Sequence, residues 1–279
     1  MKIYDFRYKK KLVFKGDVHG EFSSLFFYIK AKPLNNSLII VVGDCGIGFN
    51  KPKYYENIFE KENEYLEQNN IHILMMRGNH DDPSYFNEEK IDYSNIKTIQ
   101  DYSVILTQQG NILCVGGAIS SDRTWRKREE ERINKYRKNS SFIKKLYWEN
   151  EAPYLNNEIV NFLQSNNLKV TILATHSSPS FNLSSLSTNH INNWALVDEN
   201  LVDDIEAERQ VLDSLFTLLK DNNHNIEFWY HGHYHQLYEW YFDNGDVVFR
   251  GLGDRNELYY HTQEEDEKVN IEELESLFL

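Results

Sequence analysis

Lys11-Leu-Val-Phe-Lys-Gly-Asp-Val-His-Gly20 carries a short, apolar-centred run straight into a polar cluster bracketed by glycines. Lys11–Lys15 reads as a strand. Behind the cluster, Glu21–Ala31 places Phe22, Leu25, Phe26 and Ile29 at helical spacing, as an amphipathic helix facing a core requires. The same succession then recurs. Ser37–Val42 (SLIIVV), a continuous apolar run of buried-strand length, ends in Gly43-Asp44-Cys45-Gly46 and leads to a helical Tyr54–Asn69. Ile71–Met76 is again strand-like and ends in Arg77-Gly78-Asn79-His80-Asp81. Strands alternating with helices predict a parallel sheet with helices packed on it.

The second half follows another rhythm. Ser103–Thr107 and Asn111–Val115 flank a Gln-Gln-Gly turn and read as a hairpin. Arg123–Lys138 and Asn156–Gln164 read as helices, Val170–Ala174 as a buried strand, and Asp198–Leu219 as a long amphipathic helix. Ile226–Tyr230, Leu237–Phe242 and Val247–Gly251 return to β. This order fits two sheets between helical layers, although the pattern alone also permits one mixed sheet. No repeat, low-complexity stretch or linker divides the chain, so residues 1–279 are expected to form a single domain with a helical insertion at about 120–166 near its site.

With 41% hydrophobic and 14% aromatic residues among 279, a large core can be buried. No apolar run approaches the ~18–20 residues that span a bilayer. The basic N-terminus lacks the apolar segment of a secretory signal, and Cys45 and Cys114 make no disulfide framework. The cytoplasm is the expected compartment. A net charge of −13 opposes broad attraction to nucleic acid. Against that background, Arg123–Lys145 holds ten Lys or Arg and three acidic residues. It is either a solvated helix face or a basic wall beside a site for anionic substrates. The acidic stretch Glu264–Glu275 reads as a solvated terminal helix.

Five strands thus run into polar clusters, the last two being Thr175-His176-Ser177 and His231-Gly232-His233-Tyr234-His235. Sites in α/β sheets gather beyond the carboxyl ends of strands. Residues two apart in an extended segment point the same way, so Asp17 with His19 can clasp one cation and His233 with His235 can straddle two. An isolated Asp-x-His or His-x-His is commonly structural; five clusters in series point to metal chemistry.

The set GDVHG, GD, GNHD, TH and GHYH resembles the five-block signature of the calcineurin-like metallophosphoesterase superfamily, in the family's order from Gly16 to His235. The resemblance implies an α/β/β/α sandwich of two mixed β-sheets flanked by helices, with a dinuclear metal centre. It implies that Asp17, His19 and His235 bind one ion, that Asn79, His176 and His233 bind the other, and that Asp44 bridges them. His80 matches the residue that contacts phosphate and assists the leaving group. The expected reaction is hydrolysis of phosphate mono- or diesters, with water activated between two divalent ions attacking phosphorus. Imidazole and carboxylate ligands suit Mn, the leading expectation, or Fe, Zn, Ni or Co.

Protein Ser/Thr phosphatases of the superfamily follow the bridging Asp with Val-Asp-Arg-Gly, whereas Ile47 and Gly48 stand at the Asp and Arg places here. This departure argues against a protein phosphatase. Val115–Arg126 (VGGAISSDRTWR) is similar to a segment of uncharacterised bacterial members. Either Arg123 or Arg126 supplies the phosphate contact there, or the stretch is an Asp-capped helix start with Trp125 in the core. Asp81 or Asp82 orients His80 or caps the next helix, Arg77 supports the strand end, and His231 supports the ligand pair. Arg255 is a weaker phosphate contact. Ser177–Asn193, with His190, reads as a flexible rim. His72, His224 and His261 read as structural or exposed, and Cys45 as a small buried thiol. The expected partner is a phosphate-ester substrate, with a nucleotide allowed by the aromatic residues near Trp125. A nuclease or end-trimming phosphatase and a non-catalytic binding module are the alternatives.

Overall fold

The computed structural model describes residues 1–136, 143–182, 188–254 and 257–261. The first sheet holds β2 (Lys11–Lys15), β3 (Ser37–Val41), β4 (His72–Met75) and β5 (Ile96–Thr98) as parallel neighbours in chain order. β12 (Tyr259–His261) closes its other edge antiparallel to β2, with Tyr260 opposite Val13. Between these strands run α1 (Phe22–Ala31), α2 (Pro52–Gln68) and the short α3 (Pro83–Asn87). Pro52 opens α2, where its missing N–H costs no helical hydrogen bond. Asp82 caps α3 by accepting from the Ser84 N–H at 2.9 Å.

The second sheet has seven strands: β1 (Ile3–Asp5), β6 (Ser103–Leu106), β7 (Asn111–Val115), β8 (Ile172–Thr175), β9 (Phe228–His231), β11 (Val247–Gly251) and β10 (Tyr238–Phe242), in that spatial order. The β6–β7 and β10–β11 pairs are antiparallel and the others parallel, so both sheets are mixed. α4 (Arg123–Tyr136) and α5 (Glu158–Ser165) lie between β7 and β8, and α6 (Thr188–Ala195) and α7 (Leu201–Asp221) between β8 and β9.

Three apolar layers hold these parts together, because successive residues of a strand face opposite sides. Leu12 and Phe14 point inward with Leu38, Ile40, Leu74 and Met76, meeting Ile112, Cys114, Ile172 and Tyr230 of the second sheet. Phe14 and Tyr230 stack at 3.7 Å between ring centroids. Val13, Ile39, Val41 and Ile73 point outward beneath Phe22, Phe26 and Ile29 of α1 and Phe59 of α2. On the opposite side, Leu113, Leu173, Trp229 and Phe249 lie beneath Ile159 and Leu163 of α5 and Leu212, Leu215 and Leu219 of α7. The result is a four-layer α/β/β/α sandwich of two sheets.

The sequence left several features unread. β1, β5 and β12 are three residues each, too short for a periodic signal. β11 lies parallel beside β9, with β10 outside it. Within the expected flexible rim, Thr188–Ala195 forms α6, while residues 183–187 lie outside the described residues. The acidic stretch Glu264–Glu275 and Arg255 also lie outside them. Trp125, expected in the core if the segment were a plain helix start, is 51% exposed. No described helix is long and apolar enough to cross a membrane.

Candidate metal and catalytic site

The carboxyl ends of β2, β3 and β4 in one sheet and of β8 and β9 in the other meet at one edge of the sandwich. Backbone contacts lock the loops there: the Val18 and His19 N–H groups donate to Asp44 O at 2.9 and 2.8 Å. The chain turns sharply at each cluster. His19, Asp44, His233 and His235 all adopt left-handed φ, from 47° to 67°, a conformation that costs energy in non-glycine residues and is concentrated at functional sites. Two glycines make room for the carboxylates. A Cβ on Gly78 would lie 2.1 Å from Asp44 Oδ1, and one on Gly232 would lie 2.2 Å from Asp17 Oδ1.

Two groups of donor atoms result. In the first, Asp17, His19, Asp44 and His235 bring one ligand atom each within 4.8 Å of one another. The Nε2 atoms of His19 and His235 face each other at 3.0 Å. Asp17 is fully buried; its Oδ1 accepts from the His233 N–H at 3.1 Å. Its Oδ2 accepts no well-formed hydrogen bond, although His235 Nε2 is 2.9 Å away. A buried carboxylate oxygen left in this condition is costly unless a cation completes it. In the second group, Asn79 Oδ1 lies 3.0 Å from both His176 Nε2 and His233 Nδ1, and His176 Nε2 lies 3.1 Å from Asp44 Oδ1. Asp44 touches both groups, since its Oδ2 is 3.8 Å from His19 Nδ1.

Charge fits this arrangement. His176 Nδ1 donates to Val42 O at 2.8 Å, which directs Nε2 at the two oxygens. Burial opposes charge on His176, but Asp44 overrides it and holds the pKa up at about 9. Positive charge therefore belongs at this point, carried by a proton or by a cation that displaces one. Burial would push the Asp44 carboxyl up, yet His176, His80 and His19 hold it well below the usual range. Burial keeps His233 neutral, with its pKa lowered to about 3. Oxygens and imidazole nitrogens crowded around a carboxylate suit a divalent transition ion. Among the residues expected to bind metal, all seven are thus brought together.

His80 stands beside these atoms. Its N–H donates to Asp44 Oδ1 at 2.7 Å, and its ring Nε2 is 3.9 Å from Asp44 Oδ2. Burial depresses its pKa to about 4, Asp44 opposing and Arg126 reinforcing the fall. The Arg126 guanidinium packs against both ring nitrogens, 2.8 Å from Nδ1, and its Nε donates to Asp122 at 2.6 Å.

Other expected site residues go elsewhere. Arg123, three residues before Arg126, is held by Asp198 at 2.6 Å and Asp204 at 2.7 Å. The Asp81 carboxylate turns to the backbone rather than to the His80 ring: it accepts from the Cys45, Ile47 and Gly78 N–H groups at 3.0, 2.9 and 2.8 Å, tying the β3 and β4 loops together. Asp82 caps α3 instead. Arg77 pairs with Asp101 at 2.8 Å and donates to the carbonyls of Glu151 and Ala152 at 2.7 and 3.0 Å. His231 is buried, with Nε2 2.7 Å from the Tyr238 hydroxyl. Cys45 is buried, and burial raises its thiol pKa far above normal, which makes it inert. Beside Asp17 and His19 opens a cavity of about 340 Å³, lined also by Lys15, Glu21, Ser24 and Asp254. Sequence reasoning overlooked Ser120 and Glu151: Ser120 Oγ accepts from Asn79 Nδ2 at 3.0 Å and donates to Glu151 Oε2 at 2.6 Å. Ser120 lies within the VGGAISSDRTWR segment, where only the arginines drew attention, and Glu151 stands in no quoted motif.

Comparison with known proteins places these observations. No curated protein matches the sequence. Among solved structures, the phosphopantetheinyl hydrolase of Mycobacterium tuberculosis is similar with a TM-score of 0.42 and 14% identity, over 93% of this chain and 98% of that one. A structure from Staphylococcus aureus described as a putative 5'-nucleotidase, in complex with alpha-ketoglutarate, is similar with a TM-score of 0.41 and 10% identity, over 88% of this chain and 48% of that one. The family description "Calcineurin-like phosphoesterase" matches residues 10–237. That span takes in all five polar clusters, and the chain belongs to the calcineurin-like phosphoesterases, metal-dependent hydrolases of phosphate esters.

Proposed function

We propose that this phosphoesterase works with two divalent ions, one held by Asp17, His19 and His235 and the other by Asn79, His176 and His233, with Asp44 shared between them. The observation that carries this reading is the position of Asp44, whose two oxygens each face a different donor group. Bound dications would supply charge opposite the phosphoryl oxygens and a nucleophile at neutral pH. The chain's own residues do the rest. Arg126, held by Asp122, presents its guanidinium beside His80 and suits bidentate contact with phosphate. His80 is neutral before substrate arrives; the negative charge of the incoming phosphoryl group raises its proton affinity, so that it can protonate the leaving oxygen.

The substrate class is a small phosphate ester, mono- or diester. Phe49, whose ring lies 6.4 Å from that of His80 and 5.2 Å from that of Trp148, gives a flat surface that suits a nucleotide base. Arg126 comes from α4, the start of the stretch we read as an insertion at 120–166. Two free, buried cysteines suit a reducing, cytoplasmic setting.

Chelator-stripped protein, reloaded with Mn or with Fe, Zn, Ni or Co, should hydrolyse members of a panel of aryl phosphates, phosphomonoesters, cyclic nucleotides and dinucleoside polyphosphates. Asp44→Asn should abolish turnover on all of them. His80→Ala should keep its metal and slow turnover by roughly 10²–10⁴-fold. Absence of hydrolysis with every metal would leave a binding module as the better reading, and full activity in His80→Ala would remove His80 from the mechanism.

A further inference from the structure

Asn79 can offer either end of its amide to the space between His176 and His233. Only the oxygen is a ligand, and the two ends have nearly the same shape. Something must choose between them. Asn79 Nδ2 donates to Ser120 Oγ at 3.0 Å, which leaves Oδ1 facing the histidines. A serine hydroxyl can itself either donate or accept, so Ser120 alone does not settle the choice. Glu151 does. Its Oε1 accepts from the Ser120 N–H at 2.8 Å and its Oε2 from the Ser120 O–H at 2.6 Å. With its hydrogen committed to a carboxylate, Ser120 Oγ can only accept from Asn79.

Glu151 is itself fixed. Its side chain is fully buried. Burial raises its pKa to about 7, so at pH 8 the carboxylate is ionised and both oxygens only accept. Its carbonyl accepts from Arg77 at 2.7 Å and from the Ala118 N–H at 3.1 Å. Arg77 and Asn79, two residues apart after β4, thus grip the same glutamate, one by its backbone and the other, through Ser120, by its carboxylate.

We propose that Glu151 is a positioning residue that, by holding the Ser120 hydroxyl as an acceptor, fixes the Asn79 amide with its oxygen toward the second divalent ion. This rests on the two-ion reading above. The chemistry of the variant Glu151→Gln follows from the donors present. The Ser120 N–H can only donate, so the oxygen of the introduced amide must take it and the amide nitrogen must donate to Ser120 Oγ. The Ser120 hydrogen, released from the carboxylate, can then turn toward Asn79 Oδ1, and the Asn79 amide is no longer held in one orientation.

Metal content measured by equilibrium dialysis against Mn at pH 8 tests this without assaying turnover. The wild-type protein should take two ions. Glu151→Gln should keep one at wild-type affinity and bind the other about 10–100-fold more weakly, the usual effect of losing a group that orients a ligand. Ser120→Ala should show the same selective loss. In Asn79→Asp/Glu151→Gln both ends of residue 79 are oxygens, so orientation no longer matters and affinity for the second ion should recover relative to Glu151→Gln. Two ions at wild-type affinity in Glu151→Gln, equal weakening at both sites, or no recovery in the double variant would overturn the proposal. If Glu151→Gln does not fold, unaltered binding of both ions by Ser120→Ala overturns it alone. Fewer than two ions in the wild-type protein would instead sink the two-ion reading, and the positioning role with it.

Discussion

At the far end of β4 from Asn79, the His72 ring packs edge-on against Phe6 at 5.1 Å, with Asn95 Nδ2 3.3 Å from its Nδ1. Burial, helped by the charges of Lys9 and Lys97, lowers its pKa from 6.5 to about 4. The folded protein therefore keeps this ring neutral across a range in which the unfolded chain takes up a proton. Its contribution to stability is present above pH 6.5 and is lost as the pH falls toward 4. A fully desolvated ring would account for about 3 kcal/mol; solvent screening at this partly exposed position reduces that to about 1 kcal/mol. Urea unfolding of chelator-treated protein at pH 7.5 and pH 5 should show a smaller acid loss in His72→Gln than in the wild type, and equal losses would remove His72 as a cause. At this scale the sequence was legible wherever a residue type has few uses. Asp, Asn and His after buried strands marked the ligands, whereas Arg123 and Arg126 could not be told apart. What separates them is distant in the chain: Asp198 and Asp204 claim Arg123, and the His80 ring faces Arg126.

The strand-to-loop junctions carry the site, and they depend on backbone clearance as much as on ligands. Gly78 lies between β4 and Asn79 with Asp44 Oδ1 and His176 Nε2 pressed against it; an added Cβ would come within 2.1 and 2.7 Å of these atoms. Neither can retreat, because Asp44 is fastened by the His80 N–H and His176 by Val42. Gly78→Ala should therefore displace Asp44 by about an ångström while the sheets remain folded. Turnover should fall by roughly 100-fold, as small misplacements of reacting groups typically cause, with an unchanged far-UV circular dichroism spectrum. Near-normal activity would show that the loop can shift as a unit. Longer elements with a clear apolar pattern were read to within a few residues, since their burial writes itself into the sequence. β1, β5 and β12 derive their order from neighbours: Ile3, Tyr4 and Asp5 form a strand only because β6 lies beside them. The placement of β11 next to β9 is likewise a tertiary choice, since a β10–β11 hairpin fits either order.

For the whole molecule, the sequence established the layers less firmly than the strands, because residues such as Leu12, Val13 and Phe14 are all buried and do not disclose which of two cores each enters. Charge shows the same limit. The basic run Arg123–Lys145 looks in sequence like a surface for polyanions, but several of its described cations are paired with groups of the chain itself. Arg123 pairs with Asp198 and Asp204, Arg132 with Glu129 and Lys145 with Glu130. Lys127 lies over the Tyr147 ring at 4.6 Å and Lys144 over that of Phe49 at 5.7 Å. Phosphate contacts release counterions only where cations are available to make them, and the chain as a whole carries −13. These pairs and the net charge weigh against nucleic-acid processing. Fluorescence anisotropy with a labelled single-stranded oligonucleotide at about 150 mM salt should show no saturation below about 100 µM, the weak end of ordinary non-specific binding. Saturable binding at low micromolar concentration, weakening steeply as salt is raised, would mean that these ion pairs open to a polyanion, and would bring a single strand back as the substrate of the same site.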